Sequence, residues 1–230
     1  MMIIADFAGG GLYAAYSILA AVIAREKTGR GQYVDIAMSD GVTSLLAFPA
    51  SQYFAAGMVP KPGAEMLNGG APYYTVYECS DGKWLSIGCI EPWFWSELCK
   101  ALDCEDYIPQ QMNREKHPEI LEALRTKFKE KSRDEWFEEL RQRDICVGPV
   151  YDIGEVFDDP HVQARGMVTE VQHPEFGAIK QVGVGPKLSD TPGVVRTTSP
   201  KRGEHTADLL REAGYADAEI EEMKAGGIAG

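Results

Sequence analysis

The sequence predicts an α/β protein, and three observations carry that reading. The N-terminal part runs helix, strand, helix, so that one strand sits inside a helical layer. A stretch rich in glycine and proline then breaks the pattern. Beyond it, short strand signals alternate with amphipathic helices, as in a smaller α+β unit. Of the 230 residues, 44% are hydrophobic, enough to bury a sizeable core in one large domain or two small ones.

The first helix is expected from Gly11 to about Lys27. Ala, Leu and Ile dominate it, and Arg25-Glu26-Lys27 brings cations to the last turn, where they suit the helix dipole. Thr28-Gly29-Arg30-Gly31 is a stop and a turn rather than a phosphate loop, because no Walker pattern surrounds it. Gln32–Met38 alternates at Val34, Ile36 and Met38, which predicts a strand. Ser39-Asp40-Gly41 then caps a second helix that runs to about Ala56.

Gly57, Pro60, Pro62, Gly63, Gly69, Gly70 and Pro72 mark a linker or an active loop. Tyr73–Tyr77 and Trp84–Gly88 read as a hairpin closed by Ser80-Asp81-Gly82-Lys83. Pro92 opens a helix to about Leu102. Two more helices follow, near 118–131 and 133–143, the second with Ser132 and Glu135 at capping-box spacing. Cys146–Tyr151 is a short strand, and 152–165 is mixed. Val168–Val171 and Ile179–Val184 form an antiparallel pair, and 189–203 is a connector. Two short helices, His205–Ala213 and Ala216–Ala225, end the chain.

The formal net charge is -12, which argues against nucleic acid or an anionic membrane as a main partner. Leu12–Ala24 is the longest apolar run. It is too short to span a bilayer, lacks a basic region ahead of it, and is read as a buried helix rather than a membrane span or a signal. The five cysteines, Cys79, Cys89, Cys99, Cys104 and Cys146, show no zinc spacing. They are read as reduced thiols of a cytoplasmic protein with no metal.

Asp6 is the first candidate for chemistry. It precedes Gly9-Gly10-Gly11, where a backbone can approach a ligand closely and a helix N-terminus offers free N–H groups. A carboxylate there suits a base or a nucleophile, although the pattern alone fits a helix cap better. Glu91 stands between a strand and Pro92, a place for a functional side chain or for a merely solvated one. Asn68-Gly69-Gly70, with Tyr74 beyond it, has the freedom of a lid. Trp93, Phe94 and Trp95 are read as core. None of the four histidines pairs by sequence with a nucleophile.

These blocks taken together resemble a known group. Ala5-Asp6-Phe7-Ala8-Gly9-Gly10-Gly11, Arg25-Glu26-Lys27-Thr28-Gly29-Arg30-Gly31-Gln32 and Val34-Asp35-Ile36-Ala37-Met38-Ser39-Asp40-Gly41 are similar to successive blocks of the family III CoA transferases and α-methylacyl-CoA racemases. Gly69-Gly70-Ala71-Pro72-Tyr73-Tyr74 and Gly88-Cys89-Ile90-Glu91-Pro92 resemble the racemase branch. Cys146-Val147-Gly148-Pro149-Val150, Asp159-Pro160-His161, Glu170-Val171-Gln172-His173-Pro174 and Gly203-Glu204-His205-Thr206 resemble the group at large.

The resemblance implies a Rossmann-like large domain made from both chain ends, 1–57 and 190–230, a small α+β domain over 58–189, and interlocked subunits. It implies an acyl-CoA thioester as substrate, with no separate cofactor. Asp6 would be the catalytic carboxylate. In racemases it exchanges the α-proton opposite a His that a Glu, here Glu91, supports; in transferases it carries the acyl group and then CoA. Gly9, Gly10, Gly11, Asn68, Gly69, Gly70 and Tyr74 would line the substrate or the loop over it. Family members begin well before this Asp, and that stretch carries the His and most CoA contacts. The Asn that racemases often place four residues ahead of the Asp is here Met2. The expectation is therefore a homodimer, a chain completed by an N-terminal polypeptide, or a fragment or assembly partner inactive alone. Such a missing lobe would also supply the basic groups that so acidic a chain lacks.

Overall fold

The computed structural model describes residues 3–229, so Met2 lies outside the described residues. The chain divides into two units, Met1–Pro149 and Val150–Gly230. The architecture is mixed α/β, with many helices and two small sheets.

In the first unit, Ile3–Leu12 is a π-helical segment that runs straight into α1, Tyr13–Thr28. Gly29 ends α1 in the left-handed region, at φ 71°, and its N–H reaches Arg25 O at 2.8 Å, as the stop signal predicts. Two expectations fail here. The helical run starts at Ile3, not near Gly11, which makes Ile3–Thr28 26 residues, long and apolar enough by those two criteria to cross a membrane. A core helix of a soluble protein passes the same test. The run is also not buried: α1 buries none of its residues.

The expected strand at Gln32–Met38 is absent. The backbone is extended at Ala37 (φ −104°, ψ 132°), but no strand among the described residues pairs with it. Alternation sets which face a strand shows; a ladder partner is needed to make it a strand. The expected helix to Ala56 is two helices, α2 (Met38–Leu45) and α3 (Ala47–Ala56). Pro49 explains the break, since it has no N–H to give Leu45 and its ring crowds that carbonyl. Ala37, not Ser39-Asp40-Gly41, holds the cap position of α2.

The π-helical segment crosses α2 at two glycines. A Cβ on Gly41 would lie 2.1 Å from Gly9 O, and one on Gly9 would lie 2.8 Å from Val42 Cγ2. Gly9 and Gly41 are therefore required by backbone-to-backbone packing.

Beyond residue 57 the sequence reading holds closely. β1 (Tyr74–Glu78) pairs antiparallel with β2 (Trp84–Gly88), Tyr74 opposite Gly88 and Glu78 opposite Trp84. β3 (Val147–Val150) lies on the other edge of β2, giving the order β1-β2-β3. Gly88 N–H donates to Cys146 O at 2.9 Å and Ser86 Oγ to Gly148 O at 2.8 Å. α4 (Pro92–Ala101), a 3-10 segment (Glu105–Gln110), α5 (His117–Phe128) and α6 (Arg133–Leu140) follow the hairpin. The core forms where they meet the sheet. Tyr77 stacks on Phe128 at 4.7 Å between ring centroids, and Phe128 meets Trp136 edge-on at 5.5 Å. Both core tryptophans are satisfied: Trp95 Nε1–H donates to Tyr107 O and Trp136 Nε1–H to Phe128 O. Of the three aromatic neighbours on α4, Trp95 is core, Phe94 is half-buried and Trp93 is 59% exposed. Consecutive helical residues point about 100° apart, so all three cannot face inward. Ser132 and Glu135 form the capping box that their spacing predicts.

In the second unit, residues 152–165 hold two short helices, α7 (Ile153–Asp158) and α8 (Pro160–Ala164). Asp152 accepts from Gly154 N–H and Glu155 N–H, and Asp159 from His161 N–H and Val162 N–H. β4 (Val168–His173) and β5 (Gly177–Val182) pair antiparallel. The helices α9 (Thr206–Glu212) and α10 (Asp217–Ala225) close the chain, with Ile220 buried.

Candidate active site

The structure splits the expected site residues into two groups. Asp6 stands in the first turn of the π-helical segment and is exposed. It stands at the N-terminal end of the first helical run, which begins at Ile3 and not near Gly11. The three glycines differ in role. Gly9 is buried against α2, Gly10 would meet Met38 Cγ at 3.0 Å, and only Gly11 is exposed, with just Asp6 O at 3.4 Å. Of the three, Gly11 alone is open to solvent.

The second group surrounds the three-stranded sheet. Asn68, Gly69 and Tyr74 line a cavity of about 610 Å³ together with Leu67, Ser86, Gly88 and Cys146. Asn68 has a local duty. Its Oδ1 accepts from Glu65 N–H at 2.8 Å, and the Glu65 side chain completes a capping box over Met66–Gly70. Gly69 takes φ 106°, a conformation that favours glycine. Gly70 faces another way, into a cavity of about 270 Å³ with Tyr73, Arg114 and His117, and a Cβ there would strike Ala64 O at 2.2 Å.

Glu91 is half-buried at the junction of β2 and α4. It occupies the cap position of α4, yet its carboxylate makes no cap bond. Pro92 behind it has no N–H to offer. Two thiols lie in its field. Burial, then the neighbouring Cys146 and Glu91, hold the Cys89 thiol up at about 12 despite hydrogen bonding to the backbone; burial first and Glu91 second raise that of Cys146. The chain leading into Glu91 is braced by Gln111. This buried amide donates to Cys89 O at 3.2 Å and to Ile90 O at 2.7 Å. His117 Nε2 bonds Gln111 O at 2.8 Å, and its ring meets Tyr73 edge-on. No sequence signal singled out Gln111, because a buried side-chain amide has no periodic signature. His117, left without a role by sequence, is part of this brace. Among the described residues no group of three or more His, Cys, Asp or Glu is arranged to hold a metal.

The chain matches the family model described as CoA-transferase family III over residues 1–206. It is 35% identical to the α-methylacyl-CoA racemase of Homo sapiens over 224 residues, which cover 96% of this chain and 57% of that protein. It is 29% identical to the succinyl-CoA–L-malate CoA-transferase β subunit of Chloroflexus aurantiacus, over 93% of this chain and 55% of that one. Among solved structures, a CAIB/BAIF family protein from Brucella suis matches with a TM-score of 0.74 at 27% identity, over 90% of this chain and 55% of that chain. The chain thus spans little more than half the length of these relatives.

Proposed function

The chain belongs to CoA-transferase family III, and from that premise we propose that it forms part of an enzyme that exchanges the α-proton of a 2-methylacyl-CoA. The observation that carries this reading is the 35% identity to a racemase across 96% of the chain. The geometry at Glu91 supports it: a half-buried carboxylate with no cap bond is available to orient a base. Asp6, exposed in the first turn of a helical run, is the proposed base of this chain, and the run's first N–H groups favour the developing enolate oxygen. The opposing base and most CoA contacts belong to sequence that the longer relatives carry. Asn68, Gly69 and Tyr74 would cover the thioester from the sheet side, with Gly70 giving the loop its close turn.

The partner follows from the apolar surface. Leu12, Leu19 and Ile23 of the helical run and Phe48 and Phe54 of α3 are each more than half exposed. A second copy of the chain, or a completing polypeptide, covers this face. The domain division at 1–57, 58–189 and 190–230, in interlocked subunits, belongs to the same proposal. Five free thiols suit a cytoplasmic setting.

The transferase reading rests on relatives such as the malate CoA-transferase at 29% identity. One experiment separates the two. The chain, extended by the N-terminal region of its relatives, is incubated with a 2-methylacyl-CoA in deuterated water, and a parallel sample receives hydroxylamine. Deuterium at the α-carbon without a trapped Asp6 adduct is the expected outcome. An adduct without exchange establishes the transferase, and neither product establishes an assembly role.

A further inference from the structure

The C-terminal end of α4 carries two cysteines whose placement the proposed function does not use. α4 ends at Ala101, with Leu102 as its cap residue. Asp103 then takes φ 52°, the one positive-φ non-glycine among the described residues. The next N–H, that of Cys104, reaches back to Cys99 O at 2.9 Å. This is the 6→1 bond of a Schellman closure, which brings the residue after the left-handed one close to the residue five positions earlier. That contact is ordinarily apolar. Here the two positions are cysteines, Cys99 fully buried and Cys104 half-buried within reach of solvent.

We propose that Cys99 and Cys104 are a thiol modification site, a dithiol that a peroxide closes to an intramolecular disulfide. The pair is asymmetric in the way this chemistry needs. Hydrogen bonding from Cys99 holds the Cys104 thiol below its ordinary range, while the same contact and burial raise that of Cys99. Cys104 is thus both the more ionised thiol and the more accessible. Its thiolate attacks one peroxide oxygen, the O–O bond breaks, and hydroxide leaves and takes up the proton that Cys104 had released. Cys99 sulfur then attacks the Cys104 sulfenic acid, the S–O bond breaks, and water leaves with the Cys99 proton. In sum, two thiols are oxidised by two electrons and one peroxide is reduced to two waters. Another pair of neighbouring thiols, Cys89 and Cys146, is held differently. The Cys89 thiol donates to Cys146 O at 3.7 Å, a carbonyl and not a sulfur, and burial raises Cys79 to about 11 and Cys89 to about 12.

The bond ties the end of α4 to the start of the 3-10 segment, whose Tyr107 carbonyl receives Trp95 Nε1–H. The test uses the 230-residue chain itself. Reduced protein is treated with hydrogen peroxide in native buffer, blocked with N-ethylmaleimide and digested with trypsin. Cleavage after Lys83, Lys100 and Arg114 separates Trp84–Lys100 from Ala101–Arg114. The expected product is these two peptides linked, with fragmentation placing the bond at Cys99, and linking about tenfold faster in native buffer than in urea because the fold orients the thiols. Cys99→Ser and Cys104→Ser abolish the product, and Cys146→Ser leaves it. A bond at Cys89 instead of Cys99, Cys104 recovered only as unlinked sulfinic acid, or linking no faster in native buffer than in urea would each overturn the proposal.

Discussion

Residues 3–58 and 71–145 of the first unit are both rich in large apolar side chains, and they dispose of them in opposite ways. In the later region Trp95, Trp136, Tyr77 and Phe128 are fully buried, and every ring nitrogen or hydroxyl among them has a partner. In the earlier region α1 buries nothing, and Leu19 is 63% exposed while Phe54 is 82% exposed. Apolar patterning identifies which faces need cover. Whether the cover comes from the same stretch of chain depends on tertiary partners that local pattern does not contain. The later region closes on itself because a hairpin and three helices present complementary faces; the earlier one presents a face and leaves it open.

That contrast has measurable consequences. Trp136→Ala should lose about 3–5 kcal/mol of stability, read as a fall in the denaturant midpoint at unchanged slope, because it empties the centre of the closed core. Ser132→Ala should cost about 1 kcal/mol by the same measurement, through loss of the α6 cap. The capping box also has a pH signature. Its hydrogen bonds to the Ser132 side chain and backbone hold Glu135 below its ordinary range, so the folded protein binds that proton less readily than the unfolded chain does. Its contribution is therefore present above the ordinary Glu value and is lost as pH falls through the depressed one. The wild-type midpoint should drop more than that of Ser132→Ala on acidification below about pH 4. The smallest effect belongs to the open face. Leu19→Ala should change stability by no more than about 0.5 kcal/mol, whereas Leu19→Glu with Ile23→Glu, one turn apart, should lower the association seen by sedimentation. A Leu19→Ala loss as large as that of Trp136→Ala would break the comparison.

The same contrast sets what was legible in the sequence. The hairpin, the cap at Ser132 and the stop at Gly29 rest on local chemistry, turn residues and side-chain-to-backbone bonds, and they formed as read. The strand at 32–38 needed an edge to pair with and found none among the described residues. The helical run to Ala56 ends where expected but breaks at Leu46, ahead of Pro49, because an apolar pattern does not weigh a missing N–H. At the candidate site, the glycine loop was readable as a loop. The packing duty of Gly9 on Gly41 was not, since it depends on two segments about thirty residues apart meeting backbone to backbone. Gln111, which braces the approach to Glu91, carried no signal because its partners are carbonyls, and those look the same in every residue.

The central claim is that Asp6 moves a proton at the α-carbon of an acyl-CoA. Its most direct test is α-deuterium incorporation from deuterated water by the extended protein and by its Asp6→Asn variant, at matched fold and association state. The variant is expected to lose about 10²–10⁴-fold in exchange rate, the range that follows removal of a positioned base. Exchange at the wild-type rate in Asp6→Asn would contradict it.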